Sequence, residues 1–202
     1  MTPLRPALVV VDVQVDFCPG GALAVEDADQ VVPGLNAAIE AFARLGLPMF
    51  FTRDWHPPNH ISFRSQGGIW PRHCVQGTRG AKFHPDLRVP TGATVFSKGD
   101  DPAKEAYSGF QGTELEGAMK RLGVDEVYIG GLTIDYCVKE SALDARRAGF
   151  RVVVLEDCVR AANTKPGDGD RALATMKDAG VEFATVSTTI ERLDMLYKEP
   201  KG

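Results

Sequence analysis

Long hydrophobic runs are missing from this sequence of 202 residues. The longest run near the N-terminus extends from Ala7 to Val11, where Asp12 ends it. This run is too short for the core of a signal peptide or for a membrane-spanning helix, which needs about 20 residues. We therefore expect a cytoplasmic protein that does not have a membrane as its partner.

Charge of one sign is not concentrated anywhere, because no run of five or more like charges occurs. The net charge is −4, from 23 Lys+Arg and 27 Asp+Glu. Both observations argue against nucleic acid as a partner. A composition with 44% hydrophobic and 25% charged residues also excludes a disordered chain, a collagen-like fibre and a coiled coil. The length favours one domain over residues 1–202.

Cysteine is scarce, and its spacing argues against several kinds of site. The four cysteines are Cys18, Cys74, Cys137 and Cys158, and no two of them form a C-x-x-C pair. A zinc ribbon or a thioredoxin-like motif therefore has no support. In a reducing compartment we expect free thiols. The glycine-rich signatures that bind phosphate groups are also missing.

Alternating strands and helices are the main pattern that the sequence does contain. β-Branched and apolar runs predict strands, and amphipathic stretches that end at glycine predict helices between them. The predicted strands cover residues 7–13, 47–52, 93–97, 126–129, 151–155 and 181–186. The predicted helices cover residues 31–45, 111–122, 136–148 and 171–179. This alternation is typical of an α/β protein with a parallel sheet, in which ligands bind at the carboxyl ends of the strands.

A long stretch from about residue 53 to residue 90 interrupts this pattern. It contains five prolines and all four histidines of the sequence, with no convincing helix or strand. A loop of this length inside a compact domain is usually functional or disordered, and its aromatic content argues against disorder. We therefore expect a functional loop inserted at about 53–90.

Asp12 and Lys98 lie at the ends of predicted strands, and Cys137 lies at the junction between the fourth predicted strand and the helix after it. Each also has an ordinary explanation: an aspartate that caps a turn, a solvated lysine and a small buried hydrophobe. Together they are more informative, because the carboxyl ends of neighbouring parallel strands lie close together. A thiolate nucleophile needs a proton acceptor and a nearby cation, which the aspartate and the lysine would supply. The sequence therefore favours a Cys-Lys-Asp catalytic site.

Histidines and an aspartate in the 53–90 loop predict a metal site. Asp54 and His56 lie two residues apart after the second predicted strand, and His60 and His73 follow. Single loop histidines are mostly structural, but an aspartate with two or three histidines suits Zn²⁺, Fe²⁺ or Mn²⁺. We interpret His84, which lies outside this cluster, as structural.

Aromatic residues flank both groups of polar residues. Phe17, Trp55 and Trp70 are close to them in sequence and could line a pocket for a flat heteroaromatic ligand. Packing in the core explains each of the three equally well. We interpret Cys74, beside His73, as a core residue.

The sequence resembles the nicotinamidase branch of the isochorismatase-like cysteine hydrolases over nearly the whole chain. Six motifs carry the resemblance: Asp12-x-Gln14-x-Asp16-Phe17, Arg53-Asp54-Trp55-His56-Pro57, His60-Ile-Ser-Phe, Trp70-Pro71-x-His73-Cys74, Lys98-Gly99 and Asp135-Tyr136-Cys137-Val138.

The resemblance implies a three-layer α/β/α fold with a six-stranded, mainly parallel sheet. It implies Cys137 as the nucleophile, Asp12 as the general base and Lys98 as the third member of a catalytic triad. It also implies an oxyanion hole formed by the backbone N–H groups of Thr133 and Cys137, with a cis peptide before Thr133. Many relatives have a small residue where this chain has Thr133, which could narrow the pocket.

The resemblance further implies the residues that bind metal and substrate. The implied metal ligands are Asp54, His56 and His73, with His60 as a further candidate for one divalent ion, Zn²⁺ before Fe²⁺ or Mn²⁺. The implied substrate-binding residues are Phe17, Trp70 and Leu132, with Tyr107 as a further candidate.

The resemblance implies hydrolysis of nicotinamide to nicotinate and ammonia through a thioester, in the salvage of NAD, with pyrazinamide as a second substrate. A homo-oligomer is also implied. Three alternatives stay open at this point: an amidase for ureido or carbamoyl substrates, a vinyl-ether hydrolase of the isochorismatase type, and an inert α/β protein with a structural metal.

Overall fold

Six strands form one parallel sheet in a computed structural model that describes residues 4–197. The strands are β1 (Pro6–Val11), β2 (Met49–Asp54), β3 (Thr94–Lys98), β4 (Glu126–Leu132), β5 (Arg151–Arg160) and β6 (Glu182–Ala184). Their order is β3-β2-β1-β4-β5-β6, and each adjacent pair is parallel. The predicted α/β class and six-stranded parallel sheet are therefore confirmed.

Strand β1 lies in the middle of the sheet and is buried on both faces. Leu8 and Val10 pack into one hydrophobic cluster, whereas Ala7, Val9 and Val11 pack into a second. Successive side chains of a strand point to opposite faces, so a run of apolar residues serves both clusters. This explains why the strand has no polar alternation in the sequence.

Helices cover both faces of the sheet and complete three layers. The helices are α1 (Val31–Arg44), α2 (Leu115–Arg121), α3 (Cys137–Arg147), α4 (Asp168–Asp178) and α5 (Val186–Tyr197). Helices α1 and α5 contribute to the cluster on one face, and α2, α3 and α4 contribute to the cluster on the other. Within residues 4–197, no helix combines the length and the apolarity that crossing a bilayer requires.

The strand order reverses at β1, which pairs with β2 on one side and β4 on the other. In open α/β sheets this reversal leaves a crevice outside the carboxyl ends of the strands. Residues 55–93, between β2 and β3, hold a single short 3-10 turn at Arg64–Gln66. These residues cover the carboxyl end of the sheet. That the whole chain is one domain with this loop as an insertion stays a prediction.

Most element bounds differ from the predicted ones, and three of the differences have a physical reason or are large. Strand β1 ends at Val11 and not at residue 13, because Asp12 adopts a left-handed backbone with φ 49°. Helix α2 begins at Leu115 and not at residue 111, because Gly112 has φ 71°, outside the helical region. Strand β5 continues past the predicted end at residue 155 to Arg160.

Helix α5 was missed by the sequence prediction, which placed a strand over residues 181–186. The strand covers only Glu182–Ala184, and Val186 begins the helix. The carboxylate of Asp157 accepts the N–H of Val186 at 3.0 Å and supports this helix start. Val186, Thr189 and Leu193 are buried at helical spacing, a signal that the sequence did contain.

An ion pair fixes α5 to the sheet. Glu126 at the start of β4 is fully buried, and Arg192 of α5 donates two hydrogen bonds to its carboxylate, at 3.0 and 2.9 Å. Arg151 lies farther away, at 3.8 Å. Because a buried carboxylate is costly without a partner, Arg192 links the helix to the sheet by charge as well as by packing.

We expect Arg192→Met to lower the free energy of unfolding by about 2–4 kcal/mol, because it leaves the buried Glu126 carboxylate with the Tyr128 hydroxyl and the more distant Arg151 as its remaining partners. Urea unfolding followed by circular dichroism measures the change. The control is Arg44→Met, which removes a more exposed pair between α1 and Asp194 of α5 and is expected to cost less than about 1 kcal/mol. Equal losses in the two variants would contradict the role of the buried pair.

Candidate active site

Four strand ends bring the predicted catalytic side chains together. Asp12 directly follows β1, Asp54 and Lys98 end β2 and β3, and Cys137 begins α3 after the turn that follows β4. Asp54 and Lys98 are paired in the sheet register. The convergence predicted from strand ends is therefore present in the structure.

Lys98 is the centre of this group and is buried. Its Nζ lies 2.9 Å from Oδ2 of Asp12 and 3.4 Å from Sγ of Cys137. The same ammonium donates a short hydrogen bond to Oδ1 of Asp54. One cation thus contacts both carboxylates and the thiol.

Burial and charge set the protonation of these groups. Burial lowers the pKa of Lys98, but Asp12 and Asp54 outweigh it and hold the pKa of Lys98 well above its ordinary value. Burial raises the pKa of Asp54, but the nearby Lys98 and His56 outweigh it and lower that pKa. Burial, with Asp12 and Asp54 adding to it, raises the pKa of Cys137 well above its ordinary value. The resting cysteine is therefore a thiol that needs a base.

Asp12 has an oxygen available for that proton. Its Oδ1 accepts a hydrogen bond from the hydroxyl of Thr52 at 2.6 Å. Its Oδ2 is buried and accepts no hydrogen bond of good geometry within residues 4–197, although Lys98 is close. A carboxylate oxygen of Asp12 lies within 4.8 Å of the Cys137 sulfur. Burial raises the pKa of Asp12, which makes its carboxylate a better proton acceptor.

Asp54, His56 and His73 form a second group whose ligand atoms lie within 4.8 Å of one another. Oδ2 of Asp54 is 3.6 Å from Nε2 of His56 and 3.9 Å from Nε2 of His73. The other ring nitrogen of each histidine faces a backbone oxygen, that of Gly99 at 2.9 Å and that of Pro71 at 2.7 Å. These outer contacts leave both Nε2 atoms for an ion, so the donor set fits Zn²⁺, Fe²⁺ or Mn²⁺.

His60 is not positioned as a metal ligand, although the resemblance made it a further candidate. Its Nδ1 contacts the hydroxyl of Ser62 at 2.7 Å, and its Nε2 contacts the backbone oxygen of Lys104 at 2.9 Å. Both ring nitrogens are therefore occupied. The ring instead stacks on His56, with centroids 4.2 Å apart.

A cavity opens beside the two groups of polar residues. Its empty volume is about 440 Å³, which includes open solvent at the mouth. Its wall consists of Phe17, Leu23, Val25, Asp54, His56, Trp70, His73, Glu105, Ala106, Tyr107, Thr133, Tyr136, Cys137 and Ala162. Largely aromatic and apolar walls with a few polar groups are typical of a small-molecule site.

Three aromatic side chains from distant parts of the chain form one side of this cavity. Nε1 of Trp70 donates a hydrogen bond to the hydroxyl of Tyr107 at 2.9 Å. The Trp70 and Tyr136 rings meet edge to face at 4.9 Å. Phe17, Trp70 and Tyr107, which the resemblance implied as substrate-binding residues, all line the cavity. Tyr136 belongs to the sixth motif, but the sequence did not indicate that it lines the cavity.

Two other predicted residues lie elsewhere. The side chain of Leu132 is buried in a hydrophobic cluster and does not line the cavity, because it ends β4 on a core-facing position. Trp55 also lies outside the cavity wall, and the guanidinium of Arg53 stacks on its ring at 3.8 Å. Alternation along the chain after β2 explains this, since Trp55 lies between Asp54 and His56, which both face the cavity.

The turn between β4 and α3 places Thr133 and Cys137 in the cavity wall. The peptide between Leu132 and Thr133 is cis, as the resemblance implied. The N–H groups of Thr133 and Cys137 donate to no backbone oxygen within residues 4–197. Cys137 begins a helix, whose first N–H groups lack partners inside the helix. Both groups can therefore donate to a ligand.

Gln14 is a positioning residue that the sequence argument did not identify. It is fully buried, and its amide pairs with the main chain of Asp54 in both directions, at 2.7 and 2.8 Å. It also donates to the backbone oxygen of Ala81 at 3.0 Å. Gln14 thus fixes the strand end that carries Asp54. The one indication of this role in the sequence was that Gln14 belongs to the first of the six motifs.

Comparisons with known proteins agree with this geometry. The isochorismatase domain model matches residues 6–191. The chain is 39% identical to the nicotinamidase of Escherichia coli (strain K12), over 90% of this chain and 95% of that protein. It is similar to the structure of the pyrazinamidase of Pyrococcus horikoshii in complex with zinc, with TM-score 0.85 and 50% identity over 90% and 99% of the chains.

A further similar structure is that of a complex with a small aromatic acid. PnC1 from L. infantum in complex with nicotinate matches with TM-score 0.81 and 37% identity, over 91% of this chain and 93% of that chain. Fold, site and matches together define the class of this protein: it is a hydrolase of the isochorismatase type, built on a parallel α/β sheet. The chain belongs to the isochorismatase family.

We expect Gln14→Leu to lower the free energy of unfolding by at least about 3 kcal/mol, because it removes partners from three buried backbone groups. Urea unfolding measures the loss. The matched control, Gln30→Leu, changes an exposed glutamine and is expected to stay within about 0.5 kcal/mol. A small loss for Gln14→Leu would show that these hydrogen bonds do not hold the strand end.

Proposed function

We propose that the protein hydrolyses nicotinamide to nicotinate and ammonia through a thioester on Cys137, in the salvage of NAD. The observation that carries the proposal is the position of the Cys137 thiol, which lines a cavity beside an available Asp12 oxygen and the two histidine Nε2 atoms. The relatives named nicotinamidase and pyrazinamidase support the same reaction. Self-association and a cytoplasmic location stay predictions from the sequence.

The first half of the reaction forms the thioester. Asp12 takes the proton of the Cys137 thiol, and the sulfur attacks the carboxamide carbon. The N–H groups of Thr133 and Cys137 hold the oxygen that becomes negative, a contribution of about 3–4 kcal/mol per donor in other enzymes. Lys98 keeps its proton and stabilises the thiolate during the attack.

The second half releases both products. Asp12 gives the proton to the leaving nitrogen, and ammonia departs. Asp12 then takes a proton from a water molecule, which attacks the thioester and restores the free thiol. The product acid leaves as nicotinate. Lys98 holds the Asp12 carboxylate in place through both halves, since its Nζ lies 2.9 Å from Oδ2.

Asp54, His56 and His73 would hold a divalent transition metal ion, with Zn²⁺ favoured by the zinc complex of the similar pyrazinamidase. Such an ion supplies a Lewis acid for a ring nitrogen, which orients the substrate and withdraws electron density from it.

The aromatic side chains of the cavity wall favour a flat substrate. Phe17, Trp70 and Tyr107 line the cavity and offer ring faces and edges to a six-membered heteroaromatic ring. Pyrazinamide has the same shape and a ring nitrogen, so we propose it as a second substrate. The thiol beside Asp12 disfavours a vinyl-ether hydrolase, which needs no such nucleophile.

We expect Cys137→Ala to reduce ammonia release from nicotinamide below about 1% of wild type, because losing a covalent nucleophile abolishes the reaction path. An enzyme-coupled ammonia assay measures it, with circular dichroism to check folding. Cys158→Ala is the control, since Cys158 is buried away from the cavity. Residual turnover well above 1% would reject Cys137 as the nucleophile. Release from ureido substrates alone would reject nicotinamide as the substrate.

We expect His73→Ala to lower bound metal from about one ion per chain to a small fraction, and to lower kcat/KM with it. His60→Asn is the matched control and is expected to keep the ion, because both ring nitrogens of His60 already have protein partners. Elemental analysis of purified variants gives the metal content. Metal loss in the His60 variant with retention in the His73 variant would reverse the assignment.

A further inference from the structure

We propose that Glu105 determines charge selectivity in the cavity: it disfavours anionic ligands and promotes departure of a carboxylate product. For the product, the inference rests on the proposed function, in which a neutral amide becomes an anion. The position of Glu105 in the cavity wall is independent of that reaction.

Among the described residues, Glu105 is the charged residue of the cavity wall whose carboxylate forms no ion pair. No lysine or arginine belongs to the wall formed by the described residues. The other carboxylate in the wall, that of Asp54, is bound by Lys98 and faces two histidines. Glu105 is exposed, and within residues 4–197 its carboxylate accepts only the neighbouring N–H of Ala106, at 3.3 Å. Its negative charge therefore has no cationic side-chain partner there.

The field of Glu105 acts on groups at the cavity. Burial, and to a smaller extent the nearby Glu105, raise the pKa of Tyr107 to about 12. Glu105 precedes Ala106 and Tyr107, which line the same cavity. A ligand that reaches Cys137 through this cavity thus meets a negative charge on the wall.

That charge has opposite consequences for substrate and product. A neutral carboxamide has no net charge for Glu105 to repel, whereas Glu105 repels the carboxylate that forms when a carboxamide is hydrolysed at Cys137. This repulsion weakens binding of the product. For two unit charges several ångströms apart in a wet cavity, the repulsion corresponds to about three- to sevenfold in binding or rate.

Matched alkylating agents test this selectivity at the Cys137 thiol. Iodoacetamide and iodoacetate are nearly equal in size and differ by one negative charge. In both reactions the sulfur forms a bond to carbon, the carbon–iodine bond breaks, iodide leaves and the thiol proton passes to a base. The measured quantity is the ratio of the iodoacetate rate to the iodoacetamide rate at Cys137, located by peptide mass spectrometry.

We expect the ratio to rise about three- to sevenfold in Glu105→Gln compared with wild type. Glu191→Gln removes the same charge from the exposed face of α5 and is expected to leave the ratio unchanged. The difference between the Glu105 variant and wild type should shrink in 0.5 M salt, because screening weakens exposed charges. An unchanged ratio in Glu105→Gln, or an equal rise in Glu191→Gln, would overturn the proposal.

Product inhibition provides a second measurement. If nicotinamide is hydrolysed, the inhibition constant for nicotinate should fall about three- to sevenfold in Glu105→Gln, more than KM for the neutral amide changes. A protein that does not hydrolyse nicotinamide refutes the proposed function, yet the alkylation ratio still tests Glu105. Turnover with an unchanged ratio and inhibition constant refutes the role of Glu105 alone.

Discussion

The site depends on one buried ammonium group. Lys98 is buried, and the two carboxylates beside it offset the cost of placing its charge in the interior. The positive charge of Lys98 also offsets the repulsion between the carboxylates of Asp12 and Asp54, which can therefore lie close together. Without this cation, the carboxylate that faces the thiol and the carboxylate that faces the histidines could not share one end of the sheet.

The parallel sheet explains how residues so distant in sequence reach that ammonium. Each of β1, β2 and β3 ends at the same edge, and α3 begins there after β4. Hydrophobic clusters on both faces fix the strands, so the polar side chains at their ends have little freedom. Gln14 adds a local restraint by pairing with the main chain of Asp54. Precision at the site is therefore a property of the whole core.

Sequence reasoning found the parts of the site that follow from strand ends. Lys98 and Cys137 could be placed because apolar runs mark strands and parallel strands end together. The contacts of His60 could not be predicted, because spacing does not reveal that Ser62 and a distant backbone oxygen occupy its ring nitrogens. Leu132 was misplaced for a similar reason, since the direction of a side chain at a strand end depends on the turn that follows.

The two oxygens of Asp54 limit how this site can change during evolution. Oδ1 accepts from Lys98, while Oδ2 faces His56 and His73. Asparagine would keep one acceptor but remove the charge that Lys98 requires, and glutamate would displace both contacts at once. A relative without the two histidines therefore gains no freedom at this position, because the buried Lys98 still needs the same carboxylate. We expect homologues that no longer bind metal to retain Asp54 even where His56 and His73 have been replaced.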